Sequence, residues 1–264
     1  MFAFSNVQPN HFIRNVELFC KNYLKNNLVL EAQLKSLSLM SFSRMKKSDS
    51  LFLSLDYTIR CASVALDFLE GLAIRNGYVD EEHLRLVFCT SLFAHVGIIR
   101  GVFPGDEDPL FIVSEHAKKA IPNSKTDSAL WRHYTERSAL FVRQTLAHQG
   151  GLQLDIIERA IKNTDFTKRV DENIIDNIGK VTRACQIIAL FSSDSFNSNI
   201  VKVYFSSKEG DILNRFRLYT LEDFRKGLKQ YFWDYLFSGI SDTISIIQET
   251  DRGFGKIAKL YTRV

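Results

Sequence analysis

From Asn123 to Val264 the sequence contains no proline. All four prolines, Pro9, Pro104, Pro109 and Pro122, lie in the first half, so nothing in the second half forces a helix to break. Cysteine is equally sparse: Cys20, Cys61, Cys89 and Cys185 are far apart and form no CxxC pair. That spacing argues against a disulfide framework or a cysteine zinc site, and fits reduced, buried thiols in a cytoplasmic protein. No apolar run approaches the roughly 18 residues of a membrane-spanning helix, so no transmembrane segment is expected. The start, "MFAFSNVQPNHFIRN", turns polar too early for a signal-peptide core. Strong charge of one sign is also missing. A formal net charge of +4 over 264 residues does not argue for a nucleic-acid or anionic-membrane partner. There is no glycine-rich phosphate loop, because "GFG" at Gly253–Gly255 lacks the preceding strand that such a loop needs. GxSxG and HExxH motifs are absent too, which removes the common hydrolase elbows and zinc-protease helices.

What remains is an ordinary globular composition, 45% hydrophobic and 24% charged, carrying helical periodicity. Ile174, Ile178, Val181, Cys185 and Ile188 make one apolar stripe; Leu130, Tyr134, Phe141 and Thr145 make another. Thr220 and Asp223 form a capping-box arrangement ahead of Leu221, Phe224, Leu228 and Phe232. The most strand-like stretch is "NIVKVYF", Asn199–Phe205, which fits a helix equally well. Loops are expected at 76–80, 103–123, 150–151 and 192–199. The pattern predicts an all-α protein: a helical extension over 1–48 and one helical domain over 49–264. The extension is amphipathic and basic, which suits a helix packed on the domain or, alternatively, a partner- or membrane-surface helix.

Polar groups interrupt these apolar helices at a few positions. Asp56, Tyr57 and Thr58 open one, and His95 closes "LRLVFCTSLFAHVG". His133 and Arg137 lie one turn apart; Arg183 and Gln186 flank the stripe of their helix. Such groups need partners when buried. Each alone suits a satisfied core residue, whereas together they suit the lining of one pocket.

The order of these segments resembles the HD-domain superfamily of all-helical, metal-dependent phosphohydrolases, and in particular a group common in cyanobacteria and some other bacteria. "HVGIIRGVFPGD" is similar to the group's H-D-I-G-Y-V-R-G segment and following glycine-aspartate loop. "RHYTERSALFVR" is similar to its Y-H-V-D-R helix, and "VTRACQIIALF" to V-R-A-A-D-L-I-G-Q. The endings "YTLEDFRKGLKQYFW" and "KIAKLYTRV" also have counterparts, so the likeness runs from about Leu55 to Val264. The resemblance implies an HD-like helical bundle. It also implies a divalent metal held by a histidine, a histidine-aspartate pair and a distant aspartate. Those positions fall here at Tyr57, at His95 with Val96, and at Gln186. Only His95 keeps its type. Valine offers no lone pair, a neutral amide is a weak ligand for a hard cation, and tyrosine with a pKa near 10 rarely ligates at neutral pH.

The expectation is therefore a degenerate HD-type protein without a metal cofactor. It would be a non-catalytic binding or regulatory protein, holding a phosphorylated small molecule or nucleotide among His95, Arg100, His133, Arg137 and Arg183. Arginine suits planar, bidentate contacts with phosphate. Two alternatives stand. An active phosphohydrolase with a divalent metal would need Asp56, Asp106, Glu107, Glu136, Asp165 or His116 to join His95. A scaffold for a protein partner would have Tyr57 and Val96 filling the metal volume and the arginines paired with acids such as Asp106.

Overall fold

The computed structural model describes residues 7–25, 27–168 and 175–264. The all-α class holds, with eleven α-helices among the described residues. Helix α1 (Val7–Tyr23) and helix α2 (Leu28–Met45) precede the long α3 (Leu55–Asn76) and α4 (Glu81–Phe93). Helices α5 (Tyr134–Leu146), α6 (Leu154–Lys162), α7 (Asn177–Phe191) and α8 (Phe196–Glu209) follow. The chain closes with α9 (Leu221–Tyr231), a π-helical turn at Phe232–Leu236, α10 (Ser241–Ile247) and α11 (Asp251–Tyr261).

Local chemistry sets several of these boundaries. Ser54 caps α3 by accepting from the Tyr57 backbone N–H, and Gly77 ends it with φ of 76°. That left-handed conformation costs glycine little. Asp80 caps α4 through the N–H groups of Glu82 and His83; Asp176 caps α7 through that of Gly179. Thr220 caps α9 by accepting from the Asp223 N–H at 3.0 Å, as its spacing predicts.

Helix α3 is the axis of the bundle. It packs on α1, α4, α7, α10 and α11, while α4 lies against α2, α6 and α7, and α5 against α6. The residues of 1–48 that are described do not stand apart. Phe12, Val16, Leu34 and Phe42 are buried in the same core as the rest, and the Phe12 ring lies 5.4 Å from Phe42 and 6.1 Å from Phe88. The expected stripe on α7 is buried at Ile178, Val181, Cys185 and Ile188; Ile174 lies outside the described residues. No helix among the described residues is long and apolar enough to cross a membrane.

One open reading is resolved and two local expectations are corrected. Asn199–Phe205 is helical, inside α8, and buries Ile200, Val203 and Tyr204 while leaving Phe205 exposed. That is the spacing of one helical face, and it outweighs the β-branched composition. The same helix starts at Phe196, so the 192–199 loop is shorter than its composition suggests. The 103–123 loop instead contains a hairpin, β1 (Leu110–Ser114) and β2 (Ala117–Ala120), with Phe111 opposite Lys119 and Ile112 opposite Lys118. Only Phe111 and Val113 alternate into the core, too short a period-two signal to stand out beside Pro104, Gly105 and Pro109.

Candidate functional site

Helices α3, α4 and α7 bring Tyr57, His95, Val96 and Gln186 to the centre of the bundle. Tyr57 sits in the first turn of α3, and its hydroxyl donates to the Gln186 backbone carbonyl at 2.9 Å. His95 follows α4, and its Nδ1 lies 3.1 Å from the Thr58 hydroxyl. The Tyr57 ring is 5.1 Å from the imidazole on one side and the Tyr134 ring 6.1 Å from it on another. Val96 begins a 3₁₀ turn, Val96–Ile98, and is fully buried. Gln186 comes from α7 and is 1% exposed. The distances in sequence are large, yet the positions converge.

This cluster is closed. The main clefts of the molecule are lined by none of Tyr57, His95, Val96 or Gln186. Burial lowers the pKa of His95 from the ordinary 6.5 to about 4, with the nearby Gln186 amide pulling weakly the other way. The imidazole is therefore neutral. Its Nε2 and both polar atoms of the Gln186 side chain are buried without a well-formed hydrogen bond. Burial also raises the Tyr57 hydroxyl well above its ordinary value, so it stays protonated.

The donor set does not fit a divalent cation. Tyr57 is protonated and already committed to a carbonyl, and Val96 has nothing to offer. His95 Nε2 and the Gln186 amide oxygen are both neutral, whereas a hard cation needs several oxygen ligands, mostly carboxylates. The described residues contain no group of three His, Cys, Asp or Glu side chains able to hold a metal. The acids that an atypical metal site would use are engaged elsewhere. Asp56 pairs with Arg60 at 2.7 Å and Glu136 with Lys162 at 3.0 Å. Asp165, 1% exposed, accepts from the Thr167 hydroxyl and pairs with Arg215 at 3.0 Å. Asp106 pairs with Arg137; Glu107, bridged to Leu110 through its backbone alone, and His116, at the hairpin turn, are both exposed.

The arginines expected around His95 go to three different places. Arg137 is completely buried against a completely buried Asp106 at 2.9 Å. It also donates to the carbonyls of Gly97, Ile99 and Ile112, and its guanidinium lies 5.1 Å from the Phe103 ring centroid. It ties the turn after His95 to β1. Arg100 pairs with Asp127 and Asp49, both at 3.1 Å, and holds the 3₁₀ turn Asp127–His133 to the segment after α2. Arg183 donates to the carbonyls of Asp165, at 2.6 Å, and Lys168, at 2.7 Å, and lines a separate cleft. His133 ends the 3₁₀ turn just before α5. Its pKa falls to about 4, first through burial and then through Lys119, Arg137, Arg132 and Lys168.

Sequence reasoning did not reach Asp49 and Asp127, because they come together across 78 residues. Lys180 lies one turn before Arg183 on α7 and lines the same cleft. Gly97 closes the "HVG" string that begins at His95. A Cβ there would overlap the Ser138 nitrogen, the Tyr134 carbonyl and the Arg137 Cβ, so the glycine lets the turn after His95 seat directly on α5. Gly97→Ala is expected to destabilise the fold by about 3 kcal/mol or more, because two backbones must separate. A urea midpoint close to that of the parent would show that the turn can move away at little cost.

The family model described as Npun_R2479-like matches residues 3–264, so the chain belongs to that family. No curated protein and no solved structure matches the chain.

Proposed function

We propose that this member of the Npun_R2479-like family is a degenerate HD-type bundle that works by binding rather than by metal-dependent hydrolysis. The observation that carries the reading is the centre of the bundle. Tyr57, Val96 and Gln186 pack around a neutral His95, and the residues there supply two neutral donors where an HD-type metal centre needs carboxylates. Activation of water and neutralisation of a phosphate both depend on such an ion in metal-assisted hydrolysis. The side chains have instead become core. The ligand class carried by the reading is a phosphorylated small molecule or nucleotide; the second reading is a scaffold for a protein partner, favoured by Tyr57 and Val96 filling the centre and by Arg137 pairing with Asp106. Arg100 and Arg137 already hold carboxylates and serve as interior ties, so anion recognition falls to other cations.

The test is metal content and phosphatase activity of the purified full-length chain, prepared with manganese, iron, magnesium, nickel and zinc in turn. The expected outcome is metal at trace level only, with no metal-dependent release of phosphate from phosphomonoesters or nucleotides. A stoichiometric metal that disappears in His95→Ala would overturn the reading and return the chain to the hydrolases.

A further inference from the structure

We propose that the free edge of β2 takes an extended acidic peptide of a partner protein as an added strand. The strand edge goes beyond the small-molecule reading; it rests on the scaffold reading and supplies a place and a partner class for it.

Among the described residues β1 and β2 pair only with each other, so each strand has one outer edge. The chain itself closes the edge of β1. The Ile112 N–H donates to Asp106 at 2.8 Å, the Ile112 carbonyl accepts from Arg137, and Leu110 exchanges backbone bonds with Glu107. Leu110 and Ile112 therefore turn their backbone groups away from β2. Residues of an antiparallel ladder bond across to the partner strand alternately. Phe111 is then the residue of β1 that bonds across, to Lys119 opposite it. The Ile121 N–H, bonded to the Pro109 carbonyl at 2.8 Å, continues that alternation. Lys118 and Ala120, opposite Ile112 and Leu110, point their own N–H and C=O groups outward. All four residues of β2 are exposed. No described residue bonds to those outward groups. They are spaced as the inner side of an added strand requires.

Charge selects the partner. Lys118 and Lys119 project to opposite faces of the strand. Neither they nor Lys125, beyond the strand, meets an acid among the described residues. Glu115, at the turn, is held by Arg143 at 2.6 Å, and Glu107 lies beyond β1 on the closed side. The local field is positive: after burial, Lys119, Arg137, Arg132 and Lys168 all depress the pKa of His133. Lysines on an edge repel chance pairing with other strands. The same charges admit a strand that carries acids. Strand addition draws affinity from backbone bonds and specificity from the side chains on each face. With the lysines on opposite faces, the matching segment has two consecutive acids between β-branched residues.

The probe is the peptide Thr-Val-Glu-Glu-Val-Thr with blocked ends, titrated calorimetrically into the full-length chain. Saturable binding is expected below about 1 mM. It should be about tenfold or more tighter than for Thr-Val-Lys-Lys-Val-Thr, or for the acidic peptide N-methylated at every residue. The methylated peptide keeps the charge and loses the donors. Ala120→Pro should weaken binding about tenfold, because it removes an outward N–H and leaves the bonds to β1 in place. Lys118→Glu combined with Lys119→Glu should abolish binding. Hydrogen exchange at the Lys118 and Ala120 amides should slow when the peptide is bound. These positions are exposed, and thermal melts check that the variants fold. The proposal is overturned if the peptide does not saturate in the millimolar range, or if either variant binds it as the parent does; the lysines would then only guard the edge. Equal binding of the methylated peptide overturns it too, by making the patch a surface for any polyanion. Each of these failures leaves the closed centre at His95 untouched. Conversely, a metal held by His95 would sink the non-hydrolytic reading while peptide binding at β2 stood.

Discussion

Replacing Arg137 by methionine is expected to cost about 3–5 kcal/mol, which unfolds the chain or leaves it marginal. The side chain and its partner Asp106 are both inaccessible to water. Methionine preserves much of the volume and removes every donor. The carbonyls of Gly97, Ile99 and Ile112 lose a hydrogen bond, and Asp106 keeps only the backbone N–H groups of Ile112, at 2.8 Å, and Phe103, at 3.4 Å. A buried carboxylate without its cation is the expensive part. Arg137→Lys should recover little, because an ammonium cannot reach three carbonyls and a carboxylate in one plane. Removing Asp106 as well, in Arg137→Met with Asp106→Asn, should be less harmful than the two single changes combined, since neither charge is then stranded. Urea unfolding followed by circular dichroism reads all four. An unfolding free energy for Arg137→Met within about 1 kcal/mol of the parent would mean that the pair is not the tie between the His95 turn and the hairpin. It would also free Arg137 for the ligand-binding role that its motif suggests.

That contrast shows what the sequence makes legible. Periodicity is local, so the helices of the second half and the capping of α9 could be read directly. Tyr57, His95 and Gln186, polar groups on apolar helices, are in contact or nearly so across 129 residues. Partner choice is not local. Arg100 and Arg137 carry the residue type of a phosphate site; Asp106 is legible as a possible partner, whereas nothing near Arg100 in sequence marks Asp49 and Asp127 as the acids that occupy it. An arginine motif is the same string whether it faces an anion in solution or a carboxylate of its own chain. The cleft at α7 was hidden for another reason. Lys180 and Arg183 are legible as one face of a helix, but the opposing wall depends on a single extra residue wound into the backbone after Tyr231, for which composition has no signature.

The closed centre also fixes a response to acid. His95 titrates near 6.5 when unfolded and at about 4 in the fold, so between those values the unfolded chain binds a proton that the folded chain refuses. Unfolding is then favoured as pH falls; the stability contributed by the neutral imidazole is complete above about 6.5 and is lost as pH drops toward 4. A shift of that size amounts to roughly 3 kcal/mol over the whole range, about two-thirds of it gone by pH 5. His133 moves in the same direction and, being half exposed, adds less. Asp127 works the other way: burial raises its pKa, so protonating it stabilises the fold at the acid end of the window. The informative interval is therefore about pH 7 to 5, where the histidines titrate and the carboxylates largely do not. Urea midpoints should fall steeply there in the parent and much less in His95→Gln, which keeps a polar group beside Thr58 and has nothing to protonate. A flat parent profile would mean that the imidazole charges freely inside the fold. That requires water or an anion to reach it, and the centre would then be a site and not a core.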